Sequence, residues 1–261
     1  MKQHNMIRKF FAAATACVLA LSLCACSGSA GGGSAAPSAS PSAAPSQAQS
    51  QQPESKSYKV AIIKQLDHAS LDEIANAIAA QLDQIAAAEG VTITYEITSG
   101  QNDQTTLKQL ADQAIADGVD AIIPIATTAA QIAALAAENT KTPVVYAAIS
   151  DPETAKVTGI DYVTGTSDAL NTAFIMDMML AQNPEVSKVG LLYSLSEDNS
   201  AKPIAEAKAY LDGKGIAYTE QTANTNDEVI AAAAALIAEG VDAIFTPTDN
   251  VIMAAELAIY E

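Results

Sequence analysis

The sequence predicts an α/β fold of two Rossmann-like lobes with parallel sheets and a hinged cleft between them. From about residue 58 onward, short apolar runs alternate with stretches of helical periodicity, the pattern of strands joined by helices. The segment Ile115–Ile122 recurs as Ile237–Ile244 with one conservative change. The segment Lys59–Ile63 recurs as Lys188–Leu192 at a similar offset, so we expect the second lobe to repeat the first.

The first lobe is predicted over residues 58–160. Apolar residues spaced by three or four positions, such as Leu71, Ile74 and Ile78, indicate helices, and Gly90 and Gly118 follow two of them as stop signals. The predicted strands are 59–64, 91–98, 119–126 and 143–149. The predicted helices are 71–89, 105–117 and 128–139.

The second lobe is predicted over residues 186–261, after a crossover over 161–185 that contains a helix at 168–183. The predicted strands are 188–193, 216–221 and 241–246, and the predicted helices are 198–211, 228–239 and one starting at residue 251. This lobe contains fewer strand–helix steps than the first. We therefore expect it to be incomplete, as in a truncated form of a longer protein.

The N-terminus predicts export and a lipid anchor. Residues 1–26 combine three basic residues, an apolar run too short to span a bilayer, and a lipobox-like Leu-Cys-Ala-Cys sequence ending at Cys26. Cys26 is the predicted lipidated residue, because Cys24 would place bulky Leu23 at the cleavage site. Residues 27–57 are dominated by Ser, Ala, Gly, Pro and Gln, which predicts a flexible linker. We expect an extracytoplasmic, membrane-anchored protein, with a linker suited to a Gram-positive surface.

Composition argues against several classes of function. The formal net charge is −17, which disfavours nucleic acid as a partner. The three cysteines lie in residues 1–26, and His68 is the one histidine after that segment, so we expect no metal site. No Gly-x-Ser-x-Gly or Gly-x-Gly-x-x-Gly motif follows a predicted strand, so neither an enzyme nor a cofactor is expected.

The candidate binding residues lie in the loops that follow the predicted strands, where open α/β sheets bind ligands. Two interpretations of their hydroxyl and carboxyl groups stay open: caps of the next helix, or groups that contact a ligand. The candidates are Leu66, Asp67, His68, Ala126, Thr127, Thr128, Ser150, Asp151, Ser196, Asn199, Thr248, Asp249 and Asn250.

The order and spacing of several short motifs resemble the ABC-transporter substrate-binding family typified by tryptophan- and tyrosine-binding lipoproteins. The motifs are Val60-Ala-Ile-Ile, Asp67-His68, Gln101-Asn-Asp-Gln104, Ile125-Ala-Thr-Thr-Ala-Ala-Gln131, Ser150-Asp-Pro152, Gly165-Thr-Ser-Asp168 and Pro247-Thr-Asp-Asn250. The resemblance implies a fold like that of periplasmic binding proteins. It also implies an aromatic amino acid as ligand, passed to a membrane permease and its ATPase.

The local residues are compatible with that ligand. Thr127 and Thr128 open a helix that can face a carboxylate, and Asp151 or Asp249 can face an ammonium group. Leu66 and Ala126 can contribute to an apolar slot. We take Asp249 as the ammonium partner, with a plain helix cap as the competing interpretation. The alternative functions are a ligand-sensing lipoprotein that signals to a membrane receptor, and a binding protein for another solute such as a nucleoside.

Overall fold

The first lobe is built on a five-stranded parallel sheet. The structure, a computed structural model, describes residues 56–260, and the strand order in this sheet is β2-β1-β3-β4-β5. The strands are β1 (Ser57–Lys64), β2 (Thr92–Ser99), β3 (Ala121–Ile125), β4 (Val144–Ile149) and β5 (Val163–Ser167). The helices are α1 (Ala69–Glu89), α2 (Gln104–Ala116) and α3 (Thr127–Ala136). Because the strands are parallel, their carboxyl ends all lie along one edge.

The second lobe is built on a three-stranded parallel sheet with the order β7-β6-β8. Its strands are β6 (Lys188–Tyr193), β7 (Ala217–Thr222) and β8 (Ala243–Phe245). Its helices are α4 (Thr172–Gln182), α5 (Asp198–Lys214), α6 (Asn226–Ala238), α7 (Asn250–Ala254) and α8 (Glu256–Tyr260). The predicted α/β class, with two parallel sheets, is confirmed.

Each sheet has apolar layers on both of its faces. In the first lobe, Ile62 and Ile125 pack with residues of α1 on one face, and Leu107 of α2 packs with Ile122 on the other. In the second lobe, one layer joins α4 and α5 to the sheet and another joins α6 and α7 to it. This burial on both faces explains why the central strands are almost continuously apolar.

The repeated sequence forms the same structure in both lobes. Asp120 and Asp242 end the two copies of the Gly-Val-Asp motif, and each carboxylate accepts a hydrogen bond from the backbone N–H at the start of the neighbouring strand. The acceptor distances are 2.8 Å for the Lys59 N–H and 2.9 Å for the Lys188 N–H. The repeat therefore encodes the alignment of β3 with β1 and of β8 with β6.

The strand β5 was not predicted, and it extends the first sheet beyond the predicted boundary at residue 160. Its sequence, Val-Thr-Gly-Thr-Ser, is short, hydroxyl-rich and interrupted by Gly165, so it lacks an apolar strand pattern. Gly165 is required at that position, because a Cβ there would lie 2.1 Å from the carbonyl oxygen of Tyr146. The close approach of the β5 backbone to β4 therefore requires glycine at this position, and this glycine interrupts the apolar pattern by which a strand is predicted.

The predicted crossover over 161–185 is divided between the two lobes. The strand β5 belongs to the first sheet, whereas Met176 of α4 is buried in the core of the second lobe with Val189 and Ile204. The chain therefore passes from one lobe to the other over residues 168–171. Within residues 56–260, no helix is both long enough and apolar enough to cross a membrane.

Candidate functional site

A cavity of about 210 Å³ lies between the lobes, at the carboxyl ends of strands from both sheets. This is where the topology of open α/β sheets places a ligand. The cavity is lined by Ser70, Leu71, Ile74, Ala126, Thr127, Ala148, Ser150, Asp168, Asn199, Thr248, Asn250 and Met253. Its wall therefore combines a few polar groups with an apolar side formed largely by α1.

The N-terminus of α3 opens onto this cavity without a side-chain cap of its own. Ala126 occupies the N-cap position, where its methyl group cannot accept a hydrogen bond. Instead, the side-chain oxygen of Gln65 accepts a hydrogen bond from the Thr128 N–H at 3.1 Å. The first N–H groups of a helix carry partial positive charge, so this end of the cavity favours an anion.

Two alanines at the cavity wall have backbone angles that are unusual for residues other than glycine. Ala126 has φ 79° and ψ 166°, and Ala148 has φ 56°. Ala126 directly follows β3, Ala148 is the second-last residue of β4, and both line the cavity. Such conformations cost roughly 1–3 kcal/mol each and cluster at ligand-binding sites. The surrounding structure therefore maintains Ala126 and Ala148 in strained conformations at the cavity wall.

The second lobe contributes an unsatisfied polar atom. Asn199 is 3% exposed, and its amide nitrogen donates a hydrogen bond to the backbone oxygen of Thr248 at 2.5 Å. Its side-chain oxygen is buried and has no hydrogen-bond partner among residues 56–260. A buried acceptor left without a donor is costly, and Asn199 lines the cavity. A donor group on a bound ligand would satisfy it.

Asp168 is the charged side chain among the described residues that line the cavity. One of its carboxylate oxygens accepts a hydrogen bond from the Ser150 hydroxyl at 3.1 Å. The Ser150 hydroxyl also lies 2.9 Å from the hydroxyl of Thr248 in the other lobe. The cavity therefore has an anionic group beside a hydrogen-bonded contact between the lobes.

A buried hydrogen-bond network joins the lobes beside the cavity. The side-chain nitrogen of Gln65 donates to one carboxylate oxygen of Glu197 at 2.6 Å, and the Asn250 amide donates to the other at 2.8 Å. Glu197 is 5% exposed. Burial, followed by the nearby charge of Asp249, raises the pKa of the Glu197 carboxyl to about 7.

Three further pairs connect the lobes outside the cavity. Gln131 donates to the Asp198 carboxylate at 2.8 Å, and Lys202 lies 3.2 Å from Asp151. The His68 ring lies 4.0 Å from the Glu256 carboxylate. These contacts describe a conformation in which the two lobes are closed on each other.

The structure contradicts the hypothesis that Asp249 binds an ammonium group. One carboxylate oxygen accepts from the N–H groups of Val251 and Ile252, at 3.0 and 3.2 Å. The other accepts from the Ser194 N–H at 2.7 Å and from the Ser200 hydroxyl at 2.6 Å. Because Asp249 is fully buried and its acceptor sites are used within the protein, it is an N-cap of α7.

The cavity brings together six of the residues predicted from the sequence. They are Ala126, Thr127, Ser150, Asn199, Thr248 and Asn250. Thr128 does not line the cavity, and its N–H donates to the side-chain oxygen of Gln65.

The remaining predicted residues lie elsewhere. Leu66, Asp67 and His68 border a separate groove of about 820 Å³, and the exposed Ser196 hydroxyl lies 2.6 Å from that of Ser194. Asp151 accepts hydrogen bonds from the Glu153 and Thr154 N–H groups. The backbone contact to Thr154 and the nearby Lys202 lower the pKa of the Asp151 carboxyl. Cys26 lies outside the described residues.

Sequence reasoning missed several residues of the site and its network. They are Gln65, Ser70, Leu71, Ile74, Ala148, Asp168, Glu197 and Met253. The loop positions of Gln65 and Glu197 were a usable signal, since Gln65 directly follows β1 and Glu197 lies in the loop between β6 and α5. Asp168 was concealed because the strand that it follows was not predicted.

The sequence comparisons identify one family. Residues 59–261 match the family described as ABC transporter substrate binding protein. A tyrosine-binding protein of Clostridioides difficile (strain R20291) is 29% identical over 208 residues, which is 77% of this chain. The match covers 59% of that relative, so this chain spans less than two thirds of its length.

Solved structures show the same fold. An ABC domain from Streptococcus pneumoniae in complex with L-Trp is 30% identical with a TM-score of 0.71, covering 78% of this chain and 70% of that one. A ligand-free, open substrate binding protein from Clostridium difficile is 27% identical with a TM-score of 0.54, covering 77% of this chain and 69% of that one. At nearly equal coverage, the complex is the better structural match.

The buried Asp249 accepts hydrogen bonds on both carboxylate oxygens, which predicts a loss of stability when its charge is removed. We expect Asp249→Asn to lower the free energy of unfolding by about 1–3 kcal/mol, because an amide nitrogen would face donors that now bond to a carboxylate oxygen. The measurement is urea denaturation without added ligand.

The matched control is Asp103→Asn, because Asp103 is an exposed N-cap that accepts from the Thr106 N–H at 2.7 Å. Asparagine caps as well as aspartate, so this variant should retain the original stability. An unchanged unfolding free energy for Asp249→Asn would refute the structural role of Asp249.

Proposed function

Because this chain belongs to the family of ABC transporter substrate binding proteins, we propose that it is the extracytoplasmic receptor of an ABC importer and binds an aromatic amino acid between its lobes. The observation that carries the proposal is the cavity at the facing strand ends, with an anion-binding end, a carboxylate and an apolar side. These are the three features that recognition of such a ligand requires. A permease and its ATPase would receive the solute.

The polar groups of the cavity suit the two charges of a free amino acid. The α-carboxylate is assigned to the N-terminus of α3, beside the buried hydroxyl residue Thr127. The α-ammonium is assigned to the Asp168 carboxylate and the unsatisfied oxygen of Asn199. Each charge of the ligand then meets an opposite charge or an oriented dipole.

The apolar side of the cavity suits the side chain of the ligand. Leu71 and Ile74 of α1 and Met253 of α7 line it from opposite lobes. A methionine sulfur makes favourable contacts with aromatic rings. The volume of about 210 Å³ lies below the roughly 300–1,000 Å³ of pockets for drug-sized ligands, which favours a compact solute.

The closed arrangement of the lobes is consistent with a hinged receptor. Ser150 contacts Thr248, and Gln65 contacts Glu197, across the cleft. The better superposition on the L-Trp complex than on the ligand-free, open relative fits the same interpretation. We place the hinge at residues 168–171, where the chain passes between the lobes, so that Asp168 couples the bound ammonium group to closure.

Calorimetric titration with L-tryptophan tests this function. We expect the protein to bind L-tryptophan and Asp168→Asn to weaken binding at least tenfold, because a buried ammonium group that loses its charged partner costs roughly 2–5 kcal/mol. The ligand-free melting temperature should change little, since the Asp168 side chain is exposed at the cavity.

The control is Asp161→Asn. Asp161 is exposed and precedes β5, whereas Asp168 follows it, so this variant should bind L-tryptophan as the original protein does. A response to nucleosides but to no aromatic amino acid would contradict the proposed ligand class. Equal affinities for the original protein and Asp168→Asn would contradict the assigned ammonium site.

We also propose that residues 1–26 are a lipoprotein signal peptide, that Cys26 carries the lipid and that residues 27–57 tether the lobes to the membrane. Cys26→Ala should move the protein from the membrane fraction to the soluble fraction, whereas Cys24→Ala should leave it membrane-bound. Cell fractionation measures both outcomes. Release by Cys24→Ala with retention of Cys26→Ala would place the cleavage site at Cys24.

A further inference from the structure

We propose that closure of the lobes takes up a proton on Glu197, so that affinity for the solute decreases as the pH rises. This inference rests on the proposed function, because it concerns how the same cavity is closed. It makes Glu197 a positioning residue, since Glu197 contacts the other lobe and is not among the residues that line the cavity.

The geometry ties the burial of Glu197 to contact between the lobes. Glu197 is the N-cap residue of α5 in the second lobe, whereas Gln65, which donates to it at 2.6 Å, follows β1 in the first. The other bonds of Gln65 are made within the first lobe, to Asn102 and to the Thr128 N–H. Separation of the lobes would remove the Gln65 amide and expose this side of the carboxylate to water.

The charges around Glu197 do not stabilise its ionised form. The amides of Gln65 in the first lobe and of Asn250 in the second are neutral, and their hydrogen bonds favour the ionised carboxylate less than burial opposes it. The adjacent Asp249 is a carboxylate and repels a second negative charge. On α5 itself, Asp198 bonds to Gln131 and Lys202 pairs with Asp151. Among the ion pairs of residues 56–259, none involves Glu197.

The direction of the pH effect follows from the two states of Glu197. In the closed conformation, burial and then Asp249 raise the pKa of this carboxyl from 4.5 to about 7. In an open conformation, exposure to water removes part of the burial that is the largest cause of this rise, whereas Asp249 stays in the same lobe as Glu197. The closed state then binds more protons, so its advantage is greatest at low pH and is lost as the pH rises through about 7.

A second titratable contact between the lobes must be separated from this one. His68 lies 4.0 Å from Glu256, and histidine is the side chain that ordinarily changes charge between pH 5 and 8. His68 also caps α1, since its ring nitrogen accepts from the Ser70 N–H. His68→Asn replaces the capping ring nitrogen with an amide oxygen and removes the imidazole, so it isolates the contribution of Glu197.

The test is calorimetric titration of the full chain with L-tryptophan between pH 5.0 and 7.5, because the charges of the free amino acid stay constant over that range. We expect the Kd to increase at least tenfold from pH 5.0 to 7.5. Glu197→Gln, which removes the titrating carboxyl, should bind with a Kd that is nearly constant with pH, whereas His68→Asn should retain most of the pH dependence. Titrations at pH 6 in two buffers with different ionisation enthalpies should show net uptake of protons by the original protein.

The inference is overturned if Glu197→Gln keeps the pH dependence, or if His68→Asn abolishes it. Should Glu197→Gln fail to fold, the absence of proton uptake by the original protein would overturn it equally. Failure of L-tryptophan to bind at every pH would instead count against the proposed function. In that case, small-angle scattering without solute decides the inference: a smaller radius of gyration at pH 5.0 than at 7.5 supports it, and an equal radius overturns it.

Discussion

The side-chain amide of Gln65 is the interaction on which the site depends. Its oxygen caps α3 through the Thr128 N–H, and its nitrogen donates both to Asn102 in the same lobe and to Glu197 in the other. One buried amide thus caps α3 and joins the two lobes. The constraint behind it is simple: Ala126 offers no capping oxygen, so a side chain from a neighbouring strand end must supply one.

The placement of this interaction follows from the parallel sheets. The loops that follow β1 and β3 lie at the same edge of the first sheet, and the loops that follow β6 and β8 lie at the corresponding edge of the second. The matched contacts of Asp120 and Asp242 set that alignment at the opposite ends of the strands. The repeated motif therefore fixes the alignment of the strands, while the loops, which are not repeated, contain the polar side chains of the site.

The sequence predicts the frame well, because helical periodicity and buried apolar strands are local patterns. Predicted and observed helix ends agree to within about one helical turn. The strand β5 was not predicted because Gly165 is required by a contact with Tyr146, and a contact with a residue distant in the chain is not visible in the local sequence. Asp249 was misread for a similar reason: whether a carboxylate faces a cavity or caps α7 depends on Ser194 and Ser200, which lie about fifty residues earlier in the chain. The network of Gln65 and Glu197 spans two lobes, so neither loop indicates it alone.

The proposed function requires that one solute contacts both lobes at their facing strand ends. Hydrogen–deuterium exchange with and without L-tryptophan tests this contact, since it reports each loop separately. We expect slower exchange in the first turn of α3, at residues 127–130, together with slower exchange at residues 197–200 and 248–252 of the second lobe. Protection confined to one lobe, or found only away from these loops, would contradict it.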